Sequence, residues 1–162
     1  MAADAHSETQ PVPDAQRHAT PLDGLLLAYA SVAPIAAGGT AALAVPAQWR
    51  GAAIHGVLLW SAAVLCFLAG VRRGDSFHTP RGPTMLQLAG VFGTFGCAIL
   101  GLALPWPRLA IAAVMAGFAA VGVLDPVAAR RSQAPRFFAR IRPPQTGLAL
   151  AGLAALLAAT WR

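Results

Sequence analysis

Gly51–Val71, GAAIHGVLLWSAAVLCFLAGV, runs directly into Arg72-Arg73-Gly74-Asp75. These 21 residues contain no Asp, Glu, Lys or Arg. About 20 such residues, coiled as a helix, cross the roughly 30 Å hydrocarbon core of a bilayer. Four further apolar runs surround this one: Gly24–Val45, Pro83–Leu104, Leu109–Leu124 and Thr146–Trp161. None carries a charged side chain. Helices are the default for such runs, because an open sheet leaves backbone groups unsatisfied in lipid and no polarity-alternating strands occur. The predicted fold is therefore an all-α, polytopic membrane bundle of about five transmembrane helices, near 24–45, 51–71, 83–104, 107–124 and 145–161.

Composition agrees. The 162-residue chain is 57% hydrophobic and 11% charged, against roughly 45–50% and about 25% for a soluble domain. A soluble chain this short has too much surface to hide that much apolar material. Residues 1–21 are polar and proline-bearing and read as a disordered cytoplasmic tail, with 22–162 forming the transmembrane domain. No secretory signal is expected. Ala42–Gln48, ALAVPAQ, loosely resembles a cleavage site, but the apolar run before it is longer than a signal core.

Punctuation between the runs is strong. Pro46-Ala47-Gln48-Trp49-Arg50 ends the first, Arg72–Gly82 reads as a loop, Pro105-Trp106-Pro107-Arg108 as a tight turn, and Asp125-Pro126 as a stop. Pro34 is expected to bend the first helix.

All basic residues are arginine, and their distribution sets an orientation. With the N-terminus inside, the cytoplasmic segments hold Arg17, Arg72, Arg73, Arg81, Arg130, Arg131, Arg136, Arg140 and Arg142, while the opposite side holds Arg50, Arg108 and Arg162. This is the positive-inside pattern. Independently, Trp49, Trp106 and Trp161 all fall on the arginine-poor side, where an indole finds both apolar surroundings and a partner for its N–H. The expected placement is the bacterial inner membrane, N-terminus cytoplasmic and C-terminus periplasmic. The net charge of +6 does not imply a nucleic-acid partner, because the arginines lie between apolar runs and not along a helix face.

Cys66 and Cys97 lie in adjacent runs at depths differing by roughly 12 Å. A disulfide needs Cα atoms within about 7 Å, so two free thiols are expected. Small residues recur every fourth position at Ala89, Gly93 and Cys97, with Gly90 and Thr94 beside them. Further sets are Ala113 and Gly117, Ala112, Ala116 and Ala120, and Gly147, Ala151 and Ala155. Lipid gives no hydrophobic drive for helix association, so such stripes supply close packing, within the bundle in preference to a dimer interface.

Trp60–Phe77, WSAAVLCFLAGVRRGDSF, resembles the segment that marks the transmembrane protein 69-like domain family, whose function is unknown. Family members carry Phe-Leu-Gly-Gly-Val-Arg-Trp-Gly, which Phe67, Leu68, Gly70, Val71, Arg72 and Gly74 match. Ala69 replaces a glycine and Arg73 the tryptophan. Tyr29 and Pro34 fall where the family has an aromatic-Gly…Pro pattern. Pro135, Phe137, Phe138, Ile141, Arg142 and Thr146 correspond to its Pro-Trp-Tyr-x-x-Leu-Arg-x-x-Leu-Thr. The resemblance implies a multi-helix membrane domain from about Leu22 onward and implies no reaction.

Candidate chemistry is sparse. Proton relays and ion-coupled transporters usually hold ionisable groups at membrane depth, and none of the runs has a carboxylate or a basic side chain other than His55, about 6 Å from the outer end. His55 reads as an interfacial histidine, since no second ligand lies at its depth. No Ser/His/Asp or Cys/His constellation, phosphate loop, CxxC or HExxH is present, so no catalytic residue, metal site or cofactor is expected. Three candidate sets remain. Arg72, Asp125 and Arg142 fall at one membrane edge and are expected to form structural ion pairs. Arg130, Arg131, Arg136, Phe137, Phe138 and Arg140 form a basic, aromatic segment suited to lipid contact on an anionic leaflet. Tyr29, Ser31, His55, Ser61, Gln87 and Thr94 would line a polar path if one exists. The expected function is a non-enzymatic structural or accessory component, packing with its own copies or a larger membrane complex. The alternative is a small transporter or channel, and an intramembrane enzyme ranks last. Membrane lipids are the expected partners.

Overall fold

The computed structural model describes residues 22–77, 82–131, 134 and 137–162. The tail over 1–21, with Arg17, lies outside them, as do His78, Arg81 and Arg136. Among the described residues the protein is all-helical. Its elements are α1 (Leu22–Ala41), α2 (Ala47–Ser76), α3 (Met85–Ala103), α4 (Pro107–Arg130) and α5 (Phe138–Ala159). The first four are long and apolar enough to cross a membrane. In α5 the start is polar, leaving Thr146–Ala159 as the apolar part, about 21 Å of rise.

The helices form a closed ring in which α1 touches α2 and α5, α3 touches α2 and α4, and α4 touches α5; α2 and α4 also meet across the centre. Ile35, Leu65, Ile111, Phe118 and Leu153 fill that centre and are fully buried. Leu26, Leu59, Phe67, Phe92 and Leu109 point outward, as apolar side chains do where lipid is the solvent.

Local chemistry explains most boundaries. Thr84 caps α3 through a reciprocal box: its side chain accepts from the Gln87 backbone, and its own N–H donates to Gln87 Oε1 at 2.8 Å. Pro107 opens α4, where a missing N–H costs nothing. Gly82 takes φ +79° ahead of Pro83, a conformation that L side chains avoid. The first apolar run ends as helix at Ala41 and not at Val45; residues 42–44 unwind into a turn because Pro46 disfavours helix at the residue before it.

Further boundaries differ from the sequence reading. Helix α2 begins at Ala47, so Ala47–Arg50, expected to be part of a stop, is helical. Helix α2 does not stop at Arg72 but continues through Ser76, giving 30 residues, about 45 Å of rise. Helix α4 runs through Asp125-Pro126 to Arg130, and α5 begins at Phe138 and passes through Pro143 and Pro144. A proline removes one N–H and crowds one carbonyl, a local loss that tertiary packing outweighs here. The segments expected to be loops at this end are partly helix, and they carry their charges on defined faces.

Seams between helices use glycine where backbones must meet. A Cβ on Gly152 of α5 would lie 2.6 Å from Ala36 Cα and Ile35 O of α1, and one on Gly39 would run into the Gly152 carbonyl. Gly117 of α4 faces Leu65 of α2 and Cys97 of α3. Cys66 and Cys97 are unpaired. The small-residue sets do not all face inward. Ala89, Gly93, Gly147 and Ala151 are exposed, and a side chain added at Gly93 or Gly147 would meet nothing. The inner face of α3 is instead Val91, Thr94, Ala98 and Gly101.

Gly152→Ala should force α1 and α5 apart and lower stability by about 1–3 kcal/mol, the usual cost of overpacking. Gly93→Ala meets open space and should leave stability unchanged or raise it by up to about 1 kcal/mol through helix propensity. Thermal unfolding of the detergent-solubilised protein, followed by circular dichroism, compares the two. Equal melting would refute the seam.

Candidate functional site

At the arginine-rich end, one buried network touches every helix. Asp125 projects from the last turns of α4 and is 3% exposed. Its Oδ1 lies 3.0 Å from Arg72 Nη1 of α2, and its Oδ2 lies 3.0 Å from Arg142 Nε of α5. Neither contact is aligned as a hydrogen bond, so the attraction is coulombic, acting where water is largely excluded. The extension of α2 past Val71 and of α4 past Leu124 makes this possible: Arg72 and Asp125 are helical residues, held by their backbones.

Arg142 is 6% exposed. Besides Asp125 it donates from Nη1 to Gln145 Oε1 at 2.9 Å, and its guanidinium carbon sits 4.4 Å from the centre of the Phe138 ring. Gln145 carries the network onward. Its Nε2 donates to the Ala28 carbonyl of α1 at 2.9 Å and reaches Ser31 Oγ at 3.4 Å. Trp60 Nε1 of α2 donates to the Ser31 carbonyl at 2.8 Å. Helix α3 joins by contact: a Cβ on Gly90 would lie 2.7 Å from Arg72 Nη2, so the absence of a side chain there makes room for the guanidinium. A network of polar side chains rigidifies a core in proportion to how fully its members are satisfied; here the Gln145 links are hydrogen bonds and the Asp125 links are ion pairs.

The opposite end is tied more lightly. Arg108 donates to Thr160 Oγ1 and to the Thr160 carbonyl, both at 3.2 Å, and lies 4.5 Å from the centre of the Trp161 ring. Arg162 donates to the Leu43 carbonyl at 3.1 Å. Trp49, Trp106 and Trp161 are each more than 60% exposed.

None of the described clefts is lined by more than one side chain of the predicted polar path. His55 is exposed and borders an open cleft of about 310 Å³ with Ile54, Leu58, Gly101 and Pro105. Gln87 lies at the other end, engaged in the α3 cap. Ser61 and Thr94 are buried and donate to carbonyls of their own helices, Val57 and Gly90, at 2.7 and 2.8 Å. Tyr29 is half-buried on α1, and Ser31 belongs to the Gln145 network. No group of three His, Cys, Asp or Glu that would hold a metal occurs among the described residues.

In the basic segment, Arg130, Arg131 and Arg140 are exposed, and Phe137 and Phe138 are half-buried. The two rings meet edge to face at 4.9 Å. Phe138 faces Arg142 and is not turned wholly outward. The sequence reading does not single out Gln145 or Trp60, and it names Gly90 only beside a small-residue stripe. A glutamine beside an apolar run was the available signal, since its amide needs partners when buried.

Asp125→Asn should cost about 3–5 kcal/mol, because the buried Arg142 guanidinium and the half-buried Arg72 guanidinium lose their counter-charge. Gln145→Leu should cost about 1–3 kcal/mol through the unpaired Ala28–Arg142 link. Arg140→Gln removes an exposed arginine two positions from Arg142 and should stay within about 0.5 kcal/mol. Unfolding titrations in mixed micelles would rank them, and an Asp125→Asn protein as stable as Arg140→Gln would rule out the network as a structural tie.

Comparison with family models, with curated proteins and with solved structures finds no match to this chain.

Proposed function

We propose that this chain is a multi-pass protein of the bacterial inner membrane, N-terminus cytoplasmic and C-terminus periplasmic, acting as a non-enzymatic structural or accessory component. One observation carries the functional half of this reading. The polar side chains inside the bundle are engaged with the protein itself: Ser61 and Thr94 bond their own helices, and Asp125, Arg142 and Gln145 bond across helices. A passage for a solute would need some of them facing a common space. His55 and Gln87, both expected to line such a passage, border separate clefts at opposite ends.

Two further features support an accessory role. Exposed small residues at four-residue spacing, Ala89 with Gly93 and Gly147 with Ala151, offer close approach to another helix in lipid. The resemblance of Trp60–Phe77 to the transmembrane protein 69-like family adds a membrane domain without an assigned reaction. Orientation rests on the gathering of Arg72, Arg73, Arg130, Arg131, Arg140 and Arg142 at one end and of three tryptophans at the other.

Crosslinking in native membranes, with mass identification of the neighbours, tests the role. Recovery of its own copies or of one defined membrane complex is expected; exclusively monomeric recovery would oppose it. Orientation is tested by single cysteines at Gln48 and Arg131 in a background lacking Cys66 and Cys97. An impermeant thiol reagent should reach position 48 from the periplasm and position 131 only after the membrane is opened.

A further inference from the structure

Beside the ion-pair network lies an open cleft of about 280 Å³, between the end of α2, the start of α3 and the end of α4. Arg72, Thr84, Gln87 and Arg131 supply its polar lining, and Leu86, Leu124 and Val127 its apolar lining. The two halves have different chemistry. Arg131 is exposed and carries no counter-charge from the cleft lining, and Arg72 shares Asp125 with Arg142. Asp75 borders an adjoining narrow recess and is not part of this lining. Among the described residues, two arginines and no carboxylate line the cleft. On the apolar side, Leu86 is 70% exposed and Val123, one turn before Val127, is 62% exposed.

We propose that this cleft binds the phosphate of an anionic phospholipid, with the acyl chains lying along Leu86, Val123 and Val127. A free phosphate would satisfy only the arginines, and a zwitterionic phospholipid would fill the apolar wall while bringing its own ammonium beside the arginines. An amphiphile with an anionic head satisfies both, and basic pockets between helices at a membrane edge are suited to such heads. Phosphate oxygens accept charge-assisted bonds from guanidinium in planar, paired geometry. The site differs from a diffuse basic surface because it names the arginine that matters: Arg131 lines the cleft, whereas its neighbour Arg130 does not. The proposal rests on the membrane reading of the chain.

Full-length protein in a neutral maltoside detergent would be titrated with phosphatidylglycerol, phosphatidylcholine, inorganic phosphate and glycerol 3-phosphate, with retained lipid counted by native mass spectrometry. Phosphatidylglycerol should be retained roughly tenfold more tightly than phosphatidylcholine, the ratio expected for one charge-assisted contact. Arg131→Gln should abolish that preference, and Arg130→Gln should keep it. Val127→Glu, on the exposed cleft wall, should also abolish it. Equal loss in Arg130→Gln and Arg131→Gln would mean diffuse surface charge and overturn the proposal. Retention of inorganic phosphate or glycerol 3-phosphate as strong as that of the lipid would overturn it in favour of a soluble-anion site. Absence of any lipid preference in a protein that still needs detergent would overturn the cleft and leave the membrane reading standing; a monodisperse protein without detergent would overturn both.

Discussion

The Asp125 carboxylate, held between Arg72 and Arg142, is the interaction on which the arrangement of this bundle depends. In lipid, the apolar faces of helices gain little by meeting each other, since the surrounding tails are equally apolar. Association must come from close packing and from polar ties. The Asp125 tie is costly to assemble, because three charged groups are withdrawn from water. Its location at a helix end, near the interface, moderates that cost, and the carboxylate is shared in a way that leaves neither arginine alone. Gln145 then extends the same tie to α1 and lets one network specify the relative positions of all five helices.

Close packing supplies the rest. The α1–α5 seam lets backbones approach at Gly39 and Gly152, and Gly117 lets α4 settle against α2 and α3. The seams run along the length of the bundle, whereas the ionic network sits at one end. The other end has only Arg108 and Arg162 reaching neighbouring carbonyls and a hydroxyl. The bundle is thus pinned firmly at the arginine-rich end and more lightly at the tryptophan end. The 280 Å³ cleft lies beside the pinned end, and this gives its lining a rigid frame.

Much of the site could be read in advance for a simple reason. Charged residues were confined to the ends of long apolar runs, so Arg72, Asp125 and Arg142 had one depth available to them. Their partners could not be read the same way. Gln145 stands beside Pro143 and Pro144, a pair that reads as a helix stop, and only its position on the inner face of a continuing α5 carries it to Ala28. Gly90 looked like one member of a small-residue set, and its distinct part follows from Arg72 crossing over it.

The sequence by itself determined the class of the molecule: an all-helical bundle of five helices, four of them of membrane-crossing length, and the separation of arginine from tryptophan. These follow from the length and polarity of each run, quantities local to the chain. Only the tertiary structure decided which face of each helix turns inward. The outward stripe of Ala89 and Gly93 and the inward one of Thr94, Ala98 and Gly101 are both rich in small residues, and in lipid neither pattern identifies its own neighbour. It also decided that α2 and α4 continue past their apparent stops, since the packing of Arg72 and Asp125 against the other helices outweighs the local preference to end.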